Sequence, residues 1–190
     1  MPRSDTAKKL LDLARNLTQK RGFNGFSFHT LADGLGIKTA SVHYHFPTKG
    51  HLAKAMMDDY LVDFKEALEK LDRDYPENPA ERLKAYLNNF SGLIEDEHFC
   101  LCGMLTAECD SLEEDTLCSL ETFYKLNQKW LQELLREGAE TGAFKFNLKP
   151  ECMAAIIFSG IEGGLLIYRK NDPARFKAHC VSMLELVRAG

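Results

Sequence analysis

No stretch of this chain reads as a secretory signal: residues 1–9 are polar, and the first apolar residues are spaced out rather than continuous. The most apolar segment, Cys152–Tyr168, is short for a membrane span, carries Glu162 near its middle and holds three glycines. It predicts a helix buried in protein, and with the missing signal it predicts a cytoplasmic protein without a membrane partner. There is no internal repeat, no low-complexity tract and no alternating β pattern; Phe144-Lys145-Phe146 is too short to count. Catalytic signatures are also missing. The sequence has no nucleophile–base motif, no glycine-rich phosphate loop and no pair of metal ligands on one helical face. His98, beside Glu95, Asp96 and Glu97, reads as the solvated acidic end of a helix. These absences argue against an enzyme, and no cofactor or metal is expected.

Six cysteines without a signal peptide predict free thiols in a reducing compartment. Cys152 and Cys180 fall on apolar helical faces. Cys100, Cys102, Cys109 and Cys118 lie closer together, but the spacing C-x-C-x6-C-x8-C is not that of paired zinc ligands. The plain reading is buried or incidental thiols. The sharper alternative is a thiol- or metal-responsive switch using Cys100, Cys102 and Cys109.

What is present is a soluble composition, 45% hydrophobic and 27% charged, in 190 residues, enough for one or two small domains around a core. The charge is divided unevenly. Residues 1–54 hold nine Lys/Arg against three acids, while the other 136 hold 15 against 25. A basic head on an acidic body suits a protein that meets a polyanion at one end.

Residues 27–52, SFHTLADGLGIKTASVHYHFPTKGHL, are the most informative part of the chain. Ser27 can cap a short helix with Phe28, Leu31, Ala32 and Leu35 inward. Gly36 permits a left-handed turn with Ile37 at the corner. A second helix from Thr39 to Phe46 needs to bury only Val42 and Phe46, which leaves small, polar and aromatic groups facing out. An αα-hairpin with a solvated face would share this pattern. Two short helices with a glycine turn and an unburied polar second face also make a helix-turn-helix, whose second helix fits the DNA major groove. Lys38, Thr39, Ala40, Ser41, His43 and Tyr44 form the groove-facing set, Ala40 being small enough to meet a thymine methyl. Ser27, His29, Thr30, Tyr44, His45 and Lys49 are the phosphate candidates, Lys49 beside a helix N-terminus. His43 and His45, two apart, point to opposite sides and cannot share a metal ion.

On Gly22-Phe23, Ser27, Leu31-Ala32, Gly36-Ile37, Tyr44-His45-Phe46-Pro47 and Thr48-Lys49-x-x-Leu52, the chain resembles the TetR family of bacterial transcriptional regulators over residues 6–54. It departs from the family pattern at His43 (usually Tyr), at Lys38-Thr39 (a reversed small–basic pair), at His29 (often basic) and at Gly50 (often acidic). None of these is a core position; all lie where bases or phosphates would be touched. The resemblance implies an all-α protein with a DNA-binding head, residues 1–54, and a helical body for effector binding and dimerisation, residues 55–190. It further implies a regulator, most simply a repressor, that binds a palindromic operator as a homodimer and is released by a small molecule.

Helical periodicity runs through the whole body. A first helix spans about Thr6 to Lys20. A fourth, from Thr48 to before Pro76, is long enough to join head to body. Asn78-Pro79-Ala80-Glu81 opens a fifth, a short helix covers Gly103 to Cys109, and a capping box at Ser111–Glu114 opens a long one to Glu140. Pro150 and Pro173 open the last two helices. The 150–169 helix is apolar nearly all round, so it needs cover on two sides, and a second copy of the chain is the simplest cover. Its small residues would let helices approach. Met153, Ile157, Gly160, Ile161, Gly164, Phe176, Cys180, Met183, Leu184 and Val187 are the expected interface. Phe90, Phe99, Met104, Phe123, Trp130, Phe158 and Glu162 are the candidates for an effector pocket; each aromatic also suits plain core, and Glu162 can instead pair with Arg169.

Overall fold

The computed structural model describes residues 4–168 and 172–188. Among the described residues there are nine α-helices: α1 Asp5–Arg21, α2 Phe28–Leu35, α3 Thr39–His45, α4 Lys49–Asp74, α5 Pro79–Glu95, α6 Leu101–Ala107, α7 Glu114–Glu140, α8 Pro150–Tyr168 and α9 Pro173–Glu185. The class is all-α, as the periodicity predicts. Extended pairing among the described residues is confined to one isolated antiparallel bridge, Phe144 to Arg188, next to a hydrogen bond from Lys145 N to Val187 O of 2.7 Å.

The chain divides into two compact units, and the division does not fall at a single point. The first unit takes residues up to Val62 together with Leu101–Phe123; the second takes Asp63–Cys100 and the residues from Tyr124 onward. Helices α4 and α7 therefore each contribute to both units.

The first unit is built on α1. Ser4 caps it by accepting from Ala7 N, and Gly22 ends it at φ 87°, a conformation that favours glycine. Leu10, Leu11, Ala14 and Leu17 form its buried stripe, and Leu31, Val42, Leu52, Met56 and Met57 meet the same core. Thr18, fully buried, gives its hydroxyl to Ala14 O at 2.8 Å, so burying it leaves no unmet donor. The α6 segment belongs here and packs on α1. The expected capping box at Ser111 does not form. Ser111 ends a 3₁₀ turn, Cys109–Ser111, and its Oγ donates to Glu108 O at 2.8 Å; α7 begins three residues later at Glu114. Its Oγ accepts from Asn24 Nδ2 at 3.0 Å rather than from an N–H of the helix start.

In the second unit α9 packs on both α5 and α8. Asn78 caps α5 with Pro79 at the first turn, as the sequence predicts. Arg82 is buried yet fully engaged. It donates to Glu137 at 2.8 and 3.2 Å, to Tyr75 O at 3.1 and 2.8 Å, and to Pro76 O at 2.8 Å, which ties the end of α4 to α5 and α7. Helix α8 is long and apolar enough, by length and composition, to cross a membrane. One of its faces is nonetheless packed inside the unit through Met153, Ala154, Ile157, Phe158, Ile161 and Leu165.

The expected dimer residues lie on that inner face. Met153, Ile157, Ile161, Gly164, Phe176, Cys180, Met183 and Val187 are already buried within one chain, and Gly160 and Leu184 are half-buried. The small residues do allow close helix approach, but the partner is α9 of the same subunit. A Cβ added at Gly164 would stand 2.8 Å from His179 Cδ2, and one at Gly160 would stand 2.9 Å from Met183 Sδ. His179 Nε2 meets Gly160 O at 2.9 Å. What α8 and α9 leave outside is a second apolar set: Ile156, Leu166, Ile167, Val181 and Leu186.

Candidate nucleic-acid interface and effector core

The recognition geometry begins with two glycine-dependent or hydroxyl-dependent ends. Ser27 caps α2 by accepting from Thr30 N at 3.3 Å, and Thr30 Oγ1 accepts in return from Ser27 N at 3.2 Å. Threonine does here what glutamate usually does in a capping box. Gly36 closes α2 at φ 65°, and Ile37 N reaches back to Ala32 O at 3.0 Å, the six-to-one bond of a Schellman end. That bond fixes the angle at which α3 leaves.

Of α3 and its cap, Val42 and Phe46 are buried and everything else faces outward. Lys38, Ala40, His43 and Tyr44 are exposed; Thr39, Ser41 and His45 are partly covered. Tyr44 is 83% exposed, a high value for an aromatic ring, and makes only an edge contact with His45 at 5.1 Å. His43 rests edge-on against Phe28 at 4.8 Å, and its Nδ1 lies 3.4 Å from Pro47 O. Exposed His29 lies 3.4 Å from Asp33. The α2–α3 pair therefore presents hydroxyl, imidazole, phenol and ammonium groups on one side and an apolar ridge on the other.

Lys49 is placed differently from the expectation. Its ammonium does not lie at the outer surface. It donates to Phe23 O at 2.5 Å and Phe26 O at 2.8 Å and sits over both rings at 4.5 and 4.7 Å. Burial lowers its pKa, and the nearby Glu108 carboxylate opposes that shift. Glu108 in turn accepts from Phe23 N at 2.7 Å and Asn24 N at 3.1 Å, while Asn24 Nδ2 donates to Ser111 Oγ at 3.0 Å. Lys49 and Glu108 thus clamp the turn between α1 and α2 from its carbonyl and amide sides. Sequence spacing gave no hint of a pair 59 positions apart.

The effector candidates do not gather in one unit. Met104 and Phe123 belong to the first; Phe90, Phe99, Trp130, Phe158 and Glu162 belong to the second. Within the second, Tyr86 lies tilted against Trp130 at 5.1 Å and edge-on to Phe90 at 5.2 Å, and Tyr124 meets Phe158 at 5.9 Å. Tyr86 is fully buried and donates its hydroxyl to Asn127 Oδ1 at 2.8 Å. Burial pushes the Tyr86 phenol well above its usual range. Asn127 Nδ2 and Glu162 Oε1 are sealed from solvent and have no hydrogen-bond partner. Burial, first, and then the neighbouring Cys100, to which the carboxyl is hydrogen-bonded, push Glu162 up to about 10, so it is a neutral acid at physiological pH. Arg169, the other expected partner of Glu162, lies outside the described residues. Tyr86 and Asn127 were not anticipated. The available signal was Asn127 itself, one amide within the apolar stripe Phe123, Trp130, Leu131, Leu134.

Cys100 and Cys102 are buried and Cys109 is exposed; all six cysteines are free thiols. Cys100 and Cys102 are sealed and shielded from oxidants, which leaves Cys109 as the one exposed thiol of the three, so the thiol-responsive alternative is not supported. Among the described residues no group of three or more His, Cys, Asp or Glu could hold a metal ion.

An exposed, polar second helix on a compact three-helix head defines a helix-turn-helix protein. Residues 10–56 match the family model described as bacterial regulatory proteins, tetR family. The chain is similar to a TetR-family transcriptional regulator from Agrobacterium tumefaciens, with a TM-score of 0.92 and 29% identity over 97% of this chain and 98% of that one. It is 23% identical to the HTH-type transcriptional repressor DhaR of Mycobacterium sp. (strain GP1) over 91% of this chain and 88% of that one. It is 26% identical to the HTH-type transcriptional repressor KstR2 of Mycobacterium tuberculosis over 87% of this chain and 82% of that one. The head thus matches the TetR family of bacterial transcriptional regulators, and the chain over its length is similar to members of that family.

Proposed function

We propose that the protein is a transcriptional repressor that binds a palindromic operator as a homodimer and leaves it when a small molecule occupies the second unit. The observation that carries the DNA part is the outward face of α3, with Tyr44 83% exposed beside Lys38, Thr39, Ala40, Ser41 and His43. Such a helix costs solvation and gains nothing internally, and base edges supply what the fold does not. Ser27, His29, Thr30 and His45 stand at the flanks for phosphate, where they set register rather than sequence. Lys49 acts from beneath, by holding the turn that carries α2. Repression, rather than activation, is favoured by the relatives named repressors.

Two copies are needed because one seven-residue helix reads too few base pairs for a specific site, and a two-fold pair doubles the reading. The exposed stripe on α8 and α9, Ile156, Leu166, Ile167, Val181 and Leu186, is the surface that a second copy would cover. Residues 1–54 are the DNA-binding part and the remainder the effector and dimer part. The protein acts in the cytoplasm, where its DNA is, and needs no catalysis for this role.

The test is a footprint on DNA from upstream of the protein's own gene, followed by titration at several salt concentrations. A protected palindrome is expected, with log Kd rising with log salt. Lys38→Ala should lower the salt slope by about one contact, roughly 0.9 in log–log units. An unaltered slope together with unaltered affinity would remove α3 from the interface.

A further inference from the structure

Two side-chain atoms in the second unit are sealed in the core with no partner, one a donor and one an acceptor: Asn127 Nδ2 and Glu162 Oε1. They belong to one cluster. Asn127 Oδ1 receives the Tyr86 hydroxyl at 2.8 Å, and Cys100 and Glu162 lie near enough to Tyr86 that their ionised forms would raise its pKa further. The cluster is drawn from three helices, α5, α7 and α8, with Cys100 just before α6. Its floor is aromatic, since Tyr86 lies against Trp130 and Phe90. Orphaned polar groups in a core are costly, and an all-apolar cluster would avoid the cost. Glu162 is only half-buried as a residue although its Oε1 is sealed, so the cluster stands at the margin of the core.

We propose that Tyr86, Asn127 and Glu162 form the polar end of the effector site and that they take an uncharged, mainly apolar molecule through a hydroxyl or carbonyl oxygen. The inference rests on the reading of the second unit as the effector-binding part. Asn127 Nδ2 donates to the ligand oxygen. Glu162, kept protonated by its surroundings, accepts at Oε1 from a ligand hydroxyl while its own proton is directed to the Cys100 sulfur. The rings of Tyr86, Trp130 and Phe90 cover the apolar remainder of the ligand. An anion would face a carboxyl already opposed to charge. A cation would first have to strip the proton that burial holds on Glu162.

Trp130 is the single tryptophan of the chain and touches Tyr86, so its fluorescence comes from one ring beside this site. The full-length protein is titrated at neutral pH with three probes of one size, benzyl alcohol, benzylamine and benzoate, at millimolar concentrations. Benzyl alcohol is expected to perturb Trp130 emission saturably and at least tenfold more tightly than either charged probe. The double variant Tyr86→Phe/Asn127→Leu removes donor and acceptor together, which keeps the fold satisfied, and should weaken benzyl alcohol at least tenfold. Preference for benzylamine or benzoate, equal binding by the double variant, or no saturable signal from any probe would each overturn the proposal. DNA binding, measured in the same samples by anisotropy, separates the two readings. An unaffected operator complex with failed probe selectivity sinks the ligand class alone; loss of DNA binding in the probe-free parent sinks the regulator reading.

Discussion

Val42 and Tyr44 are two positions apart on α3 and have opposite environments, the first fully buried and the second 83% exposed. That contrast separates stability from recognition at single-residue resolution. Val42→Ala removes a buried side chain whose burial is worth about 1.5–3 kcal/mol, so it should lower the urea midpoint and weaken DNA binding only through unfolding. Glu162 makes a second prediction at this scale. A glutamate ordinarily ionises near 4.5; here it is pushed up to about 10. Between those values the unfolded chain has released a proton that the folded chain still holds. Stability therefore falls as pH rises through that window, by up to about 1.4 kcal/mol per pH unit. Glu162→Gln removes this titration. Thermal melts from about pH 5 to about pH 8 should show the variant overtaking the parent as pH rises, with a flatter profile. A parent whose melting point climbs across that range as steeply as the variant's would show that Glu162 is ionised. The sequence made Glu162 conspicuous as a carboxylate in an apolar helix, but could not supply Cys100 and Tyr86 as its neighbours, because those contacts join α8 to α5 and to the residue before α6.

Among elements, α2 and α3 were legible because their signals are local. A cap at Ser27, a left-handed glycine at 36 and two apolar residues four apart determine the motif without help from the rest of the chain. The clamp on the α1–α2 turn was not legible, because Glu108 and Lys49 meet the same backbone segment from distant parts of the sequence. Glu108→Ala leaves the Phe23 and Asn24 amides without their acceptor. At a part-buried site this should cost about 1–3 kcal/mol and loosen the recognition helix, seen as faster amide exchange in α2 and α3. Gly22→Ala should be worse than an ordinary surface change, since the added Cβ would stand 2.5 Å from Glu108 Oε1 at a φ of 87°. Helix α8 shows the converse limit. Its composition calls for cover on two sides, yet an apolar periphery does not say which side meets which neighbour. The glycine side met α9 of the same chain, and the bulkier side stayed outside.

On the scale of the whole molecule, the acidic excess lies beyond residue 54 and the basic excess before it, a division that suits the proposed contact with a polyanion at one end. In the proposed dimer, the exposed Ile156, Leu166, Ile167, Val181 and Leu186 are the surface that a second copy would cover. Ile156→Glu/Ile167→Glu should convert the protein from dimer to monomer in sedimentation velocity without loss of helical circular dichroism. The monomer should bind a half-site and the full palindrome with similar, weak affinity. A dimer that persists in this variant would move the interface elsewhere.

The claim on which the rest depends is that the outward side of α3 reads bases. Anisotropy titration of the operator fragment with Ser41→Ala/Tyr44→Ala, a pair that touches no core residue, tests it most directly. At about 1–3 kcal/mol per lost base contact, the specific complex should weaken at least tenfold while binding to unrelated DNA and the melting temperature stay as in the parent. Parental affinity for the operator in this variant would contradict the account.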